Sequence, residues 1–149
     1  MALVLVGLSA LCWSSCASYS GSSAADKVHS WLATSNFVVN HDTLLSDIAA
    51  ARRAAARGTA LQLRTVCAGM QFDIGTAYDT LPTPQESLTE ALDDADQALF
   101  KAGADCARAG STHSAAVRRA LSRMRAAEEA LDRAAVLLRK DGFDWHMRP

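Results

Sequence analysis

The sequence contains few aromatic residues, little proline and no excess of either charge. Aromatic residues make up 6% of the 149 residues, proline occurs three times, and 15 Lys and Arg stand against 16 Asp and Glu. Low aromatic content argues against a β-sandwich or barrel, whose strands favour such side chains. Balanced charge argues against a nucleic-acid partner, because phosphate contacts need a basic excess. Alanine, at about one residue in five, favours helices instead.

Motifs that carry common catalytic or metal chemistry are also missing. No glycine-rich phosphate loop, H-E-x-x-H helix or C-x-x-C pair occurs, and the histidines are isolated from one another: His29, His41, His113 and His146. Asp93, Asp94 and Asp96 would need an acid at position 97 to match a D-D-x-x-D magnesium motif, but that position is Gln97. We interpret them as a solvated acidic face. The sequence therefore predicts no catalytic residue, no metal site, no cofactor and no enzymatic activity.

The first apolar segment, residues 2–13, is uncharged. Its length falls short of the roughly 20 residues that a membrane-spanning helix needs, but it suits the hydrophobic region of a secretory signal peptide. No Lys or Arg precedes the segment, which departs from the usual signal-peptide pattern. The alternative is that residues 2–13 form the apolar first helix of a cytosolic protein.

Cys16 follows small residues and precedes the Ser- and Gly-rich residues 17–25, an arrangement that resembles a bacterial lipoprotein signal. The resemblance implies cleavage before Cys16, lipidation of its thiol and a membrane anchor, although Trp13 stands where an aliphatic residue is usual. The alternative is ordinary secretion, with cleavage after Ala17 or Ala25. We accordingly divide the chain into a signal peptide (1–16), a flexible tether (17–26), a helical domain (27–142) and a C-terminal tail (143–149).

Two cysteines remain beyond the signal region, Cys67 and Cys106. An even number of cysteines in an oxidising compartment favours a disulfide, and the alternative is two buried free thiols. Cys67 lies about ten residues before the end of its helical segment, and Cys106 about twenty residues into the next. Pairing them requires residues 78–84 to run along the bundle over about 15 Å.

Apolar stripes with helical spacing run through the chain from residue 26 onward. Residues 26–39 are weakly helical, with Asn40 or Asp42 as the N-cap of the following helix. Thr83 is expected to cap a later helix, with Pro84 at its first position. The strong stripes occupy residues 44–55, 60–77, 88–106 and 117–138. The sequence therefore predicts an all-α, up-and-down bundle of about four helices, joined by one inter-helix disulfide.

Beyond the last stripe, the chain ends in Asp144-Trp145-His146-Met147, which offers two soft ligands for copper. Two adjacent ligands at a chain terminus are a weak site. We instead expect Phe143 and Trp145 to fold back on Leu138 and seal a helix end that is capped by glycine.

Charge is divided unevenly between the last two helical segments. Residues 86–105 hold six acidic residues and one Lys, whereas residues 114–140 hold seven basic and three acidic residues. We expect these helices to pack side by side and antiparallel, because opposite charge selects the neighbour. The alternative is that arginines of the last helix meet an anionic partner such as lipid headgroups: Arg118, Arg119, Arg123 and Arg125.

The order of Arg57-Gly58, Cys67, Leu81-Pro82-Thr83-Pro84, Cys106 and Gly110 resembles small exported helical proteins, including lipoproteins, of actinobacteria. The resemblance covers residues 44–110, and its motifs are structural. It implies a helical fold and a location outside the cytoplasm. It implies no activity.

These features together predict a non-enzymatic, exported cell-envelope protein, lipid-anchored through Cys16 or secreted. Its role would be to bind an unidentified envelope protein or to populate the cell surface. The alternative is a small helical carrier that binds an apolar ligand in the bundle core.

Overall fold

The computed structural model describes residues 22–145, and all regular structure in that range is helical. The predicted all-α class is therefore confirmed, but the predicted number of about four helices is wrong. The described residues form five helices: α1 (Ala24–Thr34), α2 (Phe37–Arg57), α3 (Ala60–Tyr78), α4 (Glu86–Ala107) and α5 (Ala115–Lys140). Of these five, none is long and apolar enough to cross a membrane.

The break between α1 and α2 accounts for the additional helix. Residues 26–39 do not form one continuous helix, because Asn36 has a left-handed backbone, with φ of 54°. Asparagine adopts this conformation more readily than most residues other than glycine. The chain therefore turns there, and α2 begins at Phe37 rather than after an N-cap at Asn40 or Asp42.

Side-chain caps begin three of the described helices, including α5, where the Ser114 hydroxyl accepts from the Val117 amide. The start of α4 departs from the prediction. Capping boxes formed by Ser23 with Asp26 and by Thr59 with Gln62 begin α1 and α3. The cap predicted at Thr83 is wrong, since α4 begins at Glu86. The Thr83 hydroxyl instead donates to the Gln85 carbonyl oxygen at 2.7 Å and so closes a turn that precedes the helix.

The four long helices form an up-and-down bundle. Helix α2 packs on α3, α3 on α4 and α4 on α5, and α5 closes the ring against α2. Individual contacts show that neighbouring helices run antiparallel. Asn40 Nδ2, near the start of α2, donates to the Thr76 carbonyl oxygen near the end of α3 at 3.1 Å. Between α2 and α5, Arg52 donates to both carboxylate oxygens of Glu128 at 2.6 Å.

The predicted pairing of the acidic and basic helices is confirmed. Helices α4 and α5 share the most extensive contact in the bundle and run antiparallel. Arg123 contacts Asp105 at 2.7 Å, and Arg133 contacts Asp94 at 2.9 Å. Both arginines are partly exposed, so each ion pair contributes little to stability, but the set favours this neighbour over another.

The bundle core combines large apolar side chains with many alanines. Fully buried residues fill its length, including Phe37, Leu44, Met70, Leu99 and Met124. Alanines on the inward stripes of α4 and α5 let these two helices approach closely: Ala91, Ala95, Ala102, Ala120, Ala127 and Ala134. The chain therefore buries one continuous core.

Helix α1 and the residues after α5 meet at one end of the bundle. Gly142, with φ of 84°, ends α5, and the Phe143 amide donates to the Leu138 carbonyl oxygen at 3.0 Å. Phe143 thus returns to Leu138, as predicted, whereas Trp145 reaches α2, where its ring lies 4.9 Å from that of Phe37. His29 Nε2 lies 3.0 Å from the carbonyl oxygen of Asp141, which ties α1 to the end of α5.

Candidate functional site

The first predicted site, the disulfide, is present between the inward faces of α3 and α4. Cys67 and Cys106 are bonded, with Cα atoms 5.9 Å apart, and both are buried. This separation lies within the range that a disulfide requires. The second predicted site, lipidation at Cys16, falls outside the described residues.

The disulfide also fixes which residues of α3 and α4 face one another. Gly103, three residues before Cys106, lies against Gln71, and a side chain at Gly103 would collide with it. Asp96 lies seven residues before Gly103, on the same face of α4. It lines the same crevice as Tyr78, which ends α3. The start of α4 therefore extends about ten residues past α3, and the linker 79–85 returns along this part of α4.

A surface crevice of about 280 Å³ lies where α3 ends against α4. We call it the α3–α4 crevice. The surface that its lining residues turn towards the space is mainly apolar, although several of these residues carry a polar group elsewhere. They are Gln71, Ile74, Gly75 and Tyr78 from α3, and Asp96, Gln97, Phe100 and Lys101 from α4. The rings of Tyr78 and Phe100 are more than half exposed. Aromatic side chains exposed beside a concave apolar surface are typical of ligand or partner binding.

Asp96 is the unusual residue of this lining. It is 1% exposed, and neither carboxylate oxygen has a hydrogen-bond partner among residues 22–145. Burial, and secondarily the charge of Asp93, raises the pKa of Asp96 to about 7. The interpretation of residues 93–96 as a solvated acidic face is therefore wrong for Asp96, whose position on α4 faces α3 instead of solvent.

Replacing Asp96 by Asn is expected to raise stability more at high pH than at low pH. The folded pKa of about 7 lies above the ordinary value of 3.8, so stability is lost as pH rises through this interval. The advantage of the Asn variant over wild type should grow by roughly 2 kcal/mol between pH 5 and pH 8. Urea denaturation at the two pH values measures this difference. An advantage that does not change with pH would show that Asp96 has the same pKa in the folded and unfolded states and would contradict its burial.

A second unusual group, His41, lies in an aromatic cluster at the end of the bundle. Its ring centroid is 4.3 Å from that of Phe37 and 5.9 Å from that of Trp145. His41 Nδ1 lies 3.0 Å from the Phe37 carbonyl oxygen, while Nε2 is buried and has no hydrogen-bond partner in the part of the chain that the structure describes. Burial lowers the pKa of His41 to about 4, against the opposing effects of that carbonyl and the charge of Asp42. This histidine is a buried core residue whose ring is neutral near pH 7.

His41 is expected to make the protein sensitive to acid. Its folded pKa lies below the ordinary value of 6.5, so its contribution to stability is present above pH 6.5 and is lost as pH falls towards 4. The free energy of unfolding of wild type, relative to that of a His41→Phe variant, should fall by roughly 2 kcal/mol between pH 7 and pH 4.5. The comparison with the variant removes the opposite contribution of Asp96, which both proteins share. A constant difference across this range would mean that His41 has the same pKa in the folded and unfolded states, so that burial does not lower it.

Two carboxyl groups meet between α2 and α3. Asp47 lies beside Asp73, and burial, a hydrogen bond to Asp73 and the Asp73 charge together raise the pKa of Asp47 to about 6. Among residues 22–145, no group of three or more His, Cys, Asp or Glu side chains is placed to hold a metal ion.

The arginines that were considered for an anionic partner are partly occupied within the protein. Asp105 is buried, and its carboxylate contacts Arg123 at 2.7 Å, Arg119 at 3.6 Å and Arg108 at 3.4 Å. Arg118 Nη1 donates to the His113 carbonyl oxygen at 3.1 Å. These contacts favour the structural role for Arg119 and Arg123, which join α5 to the end of α4.

Sequence reasoning found the disulfide but missed Asp96. A signal was present, since Asp96 lies four residues after Leu92 and three before Leu99 and thus continues their apolar row. Comparison with known protein families, with curated proteins and with solved structures finds no match to this chain. The α3–α4 crevice is therefore identified as the candidate site from its own geometry and chemistry.

Proposed function

We propose that this protein is a non-enzymatic, exported cell-envelope protein that is anchored through Cys16 and binds a partner or ligand outside the cytoplasm. The observation that carries the proposal is the Cys67–Cys106 bond in the bundle core. A disulfide between two buried positions persists in an oxidising compartment and is rare in the cytosol. We retain the resemblance to small exported helical proteins of actinobacteria as part of this proposal.

The binding role is supported by the outer surface of α3 and its junction with α4. Helix α3 has only two charged residues, Arg64 and Asp73, in 19 positions. Phe72 is 77% exposed, and Leu61, Tyr78 and Phe100 are each more than half exposed. A helix that shows large apolar side chains to solvent is typical of a protein that binds through that face.

The alternative function, a carrier with an apolar ligand inside the bundle core, gains less support. The described core is filled along its length by side chains such as Phe37, Met70, Leu99 and Met124. The α3–α4 crevice, by contrast, opens to the surface between two helices. A ligand-binding role therefore fits this crevice better than the core.

Export and anchoring are tested with two cysteine variants in a bacterial host that processes lipoproteins. Wild type and Cys12→Ser should incorporate a labelled fatty acid and fractionate with the membrane. Cys16→Ser should lose the label and leave the membrane fraction. Cys12→Ser is the matched control, because it removes a neighbouring thiol that the lipoprotein resemblance does not use. Unlabelled wild type in the cytosol would contradict the proposal.

A further inference from the structure

The α3–α4 crevice places one buried acid among apolar and aromatic side chains. Asp96 is covered from solvent, and within the described range 22–145 neither of its oxygens has a hydrogen-bond partner. Ile74, Tyr78 and Phe100 line the adjoining space. We propose that this crevice binds a small organic ammonium ion, with the ammonium group on the Asp96 carboxylate and the apolar part against these three side chains. The inference rests on the proposed binding function and specifies the class of ligand.

The unpartnered carboxylate is the first support for a cationic ligand. Buried polar groups in native proteins nearly always have a hydrogen-bond partner, and a buried unpaired carboxylate is costly. A residue that costs stability where an apolar side chain would fit is a mark of a functional site. An ammonium ion supplies what Asp96 lacks, namely hydrogen-bond donors and the opposite charge.

The walls of the crevice are the second support. Tyr78 and Phe100 are 53% and 58% exposed, and the faces of their rings attract cations. Because neighbouring side chains cover the Asp96 oxygens, an entering ammonium group must displace part of the lining. Exposed side chains such as these change rotamer readily. The volume of about 280 Å³ suits a small ligand.

None of the other polar groups that line the crevice is paired with the Asp96 carboxylate, so a cationic ligand can pair with it. The crevice lining contributes Gln71 and Tyr78 from α3, and Gln97 and Lys101 from α4. Asp93 adds a further negative charge near Asp96. Lys101 is exposed and makes no ion pair or hydrogen bond with Asp96, so it does not already serve as the counter-ion.

The test uses three probes of nearly equal shape and different charge, namely hexylammonium, hexanol and hexanoate, in NMR chemical-shift titrations of the protein. Hexylammonium should bind at least tenfold more tightly than hexanol, and hexanoate should bind more weakly than both. The affinity of hexylammonium should rise about tenfold or more from pH 5 to pH 8, because Asp96 ionises in this range while an alkylammonium stays charged.

Two variants, each lacking one acidic residue of α4, distinguish binding at Asp96 from a general effect of negative charge. Asp96→Asn should weaken hexylammonium binding at least tenfold, whereas Asp94→Asn should bind it within twofold of wild type. Asp94 is the matched control, since it is an exposed acid of α4 that pairs with Arg133 on α5. Equal binding of hexylammonium and hexanol, no binding of hexylammonium, or wild-type affinity in Asp96→Asn would each overturn the proposal.

A second pair of variants tests the position of the site without removing a charge. Gly75 lines the crevice and Gly69 does not, and a side chain added at either position meets open space. Gly75→Leu should weaken hexylammonium binding at least fivefold, whereas Gly69→Leu should not change it. Equal affinity in both would place the ligand elsewhere and overturn the proposal. These titrations use the folded chain, so their failure is distinct from a failure of the export test.

Discussion

Replacing Cys67 and Cys106 together by alanine is expected to lower the free energy of unfolding by about 4 kcal/mol. The bond joins residues separated by 39 positions, and opening a loop of this length restores conformational freedom to the unfolded chain. Because the bond also crosses the α3–α4 contact, its loss should loosen the α3–α4 crevice. Chemical denaturation of the variant and wild type measures the difference.

Reduction of the wild-type protein is the matched control for this variant. A thiol reductant should lower wild-type stability by a similar amount and should leave the double-alanine variant unchanged. If the reductant has no effect on wild type under conditions that reduce the bond, then the crosslink contributes nothing to stability. A loss well above 4 kcal/mol in the variant would instead indicate that the two alanines leave a cavity in the core.

Phe37→Ala is expected to cost about 3–5 kcal/mol of stability, which is the usual range for a buried phenylalanine. Phe37 is fully buried, and its ring lies within about 5 Å of the Trp31, His41 and Trp145 rings. These contacts hold α1 and the residues after α5 on the start of α2. Hydrogen exchange should therefore accelerate in α1 more than in α3 or α4, since α1 has few other contacts with the bundle.

Phe72→Ala is the matched control for Phe37→Ala. It removes the same side chain from a position that is 77% exposed on α3. We expect it to change the free energy of unfolding by less than about 0.5 kcal/mol. Similar losses in the two variants would show that the aromatic cluster does not organise this end of the bundle.

Much of the fold could be predicted because an apolar stripe with helical spacing runs along each of the four long helices. The stripes containing Cys67 and Cys106 placed both cysteines on inward faces, and the bond between them is present. Opposite charges on α4 and α5 predicted their antiparallel contact, which the Asp94–Arg133 and Asp105–Arg123 pairs display. In each case the pattern extends over several helical turns, so local exceptions do not obscure it.

The features that sequence reasoning missed depend on single residues in tertiary context. The left-handed backbone at Asn36 splits the first helical segment, although many asparagines lie within helices. Asp96 was grouped with its acidic neighbours Asp93 and Asp94, while its burial is set by the register between α3 and α4. The disulfide fixes that register, and the disulfide was itself a hypothesis at that stage.

The central claim, an exported helical bundle crosslinked between α3 and α4, is tested most directly by the intact mass of the native chain. The chain would be recovered from membrane and medium of the cells that make it and alkylated with and without reductant. We expect a mature chain that begins at Cys16 and carries acyl groups, with Cys67 and Cys106 alkylated only after reduction. An unprocessed chain from the cytosol, alkylated at both cysteines without reductant, would contradict the claim.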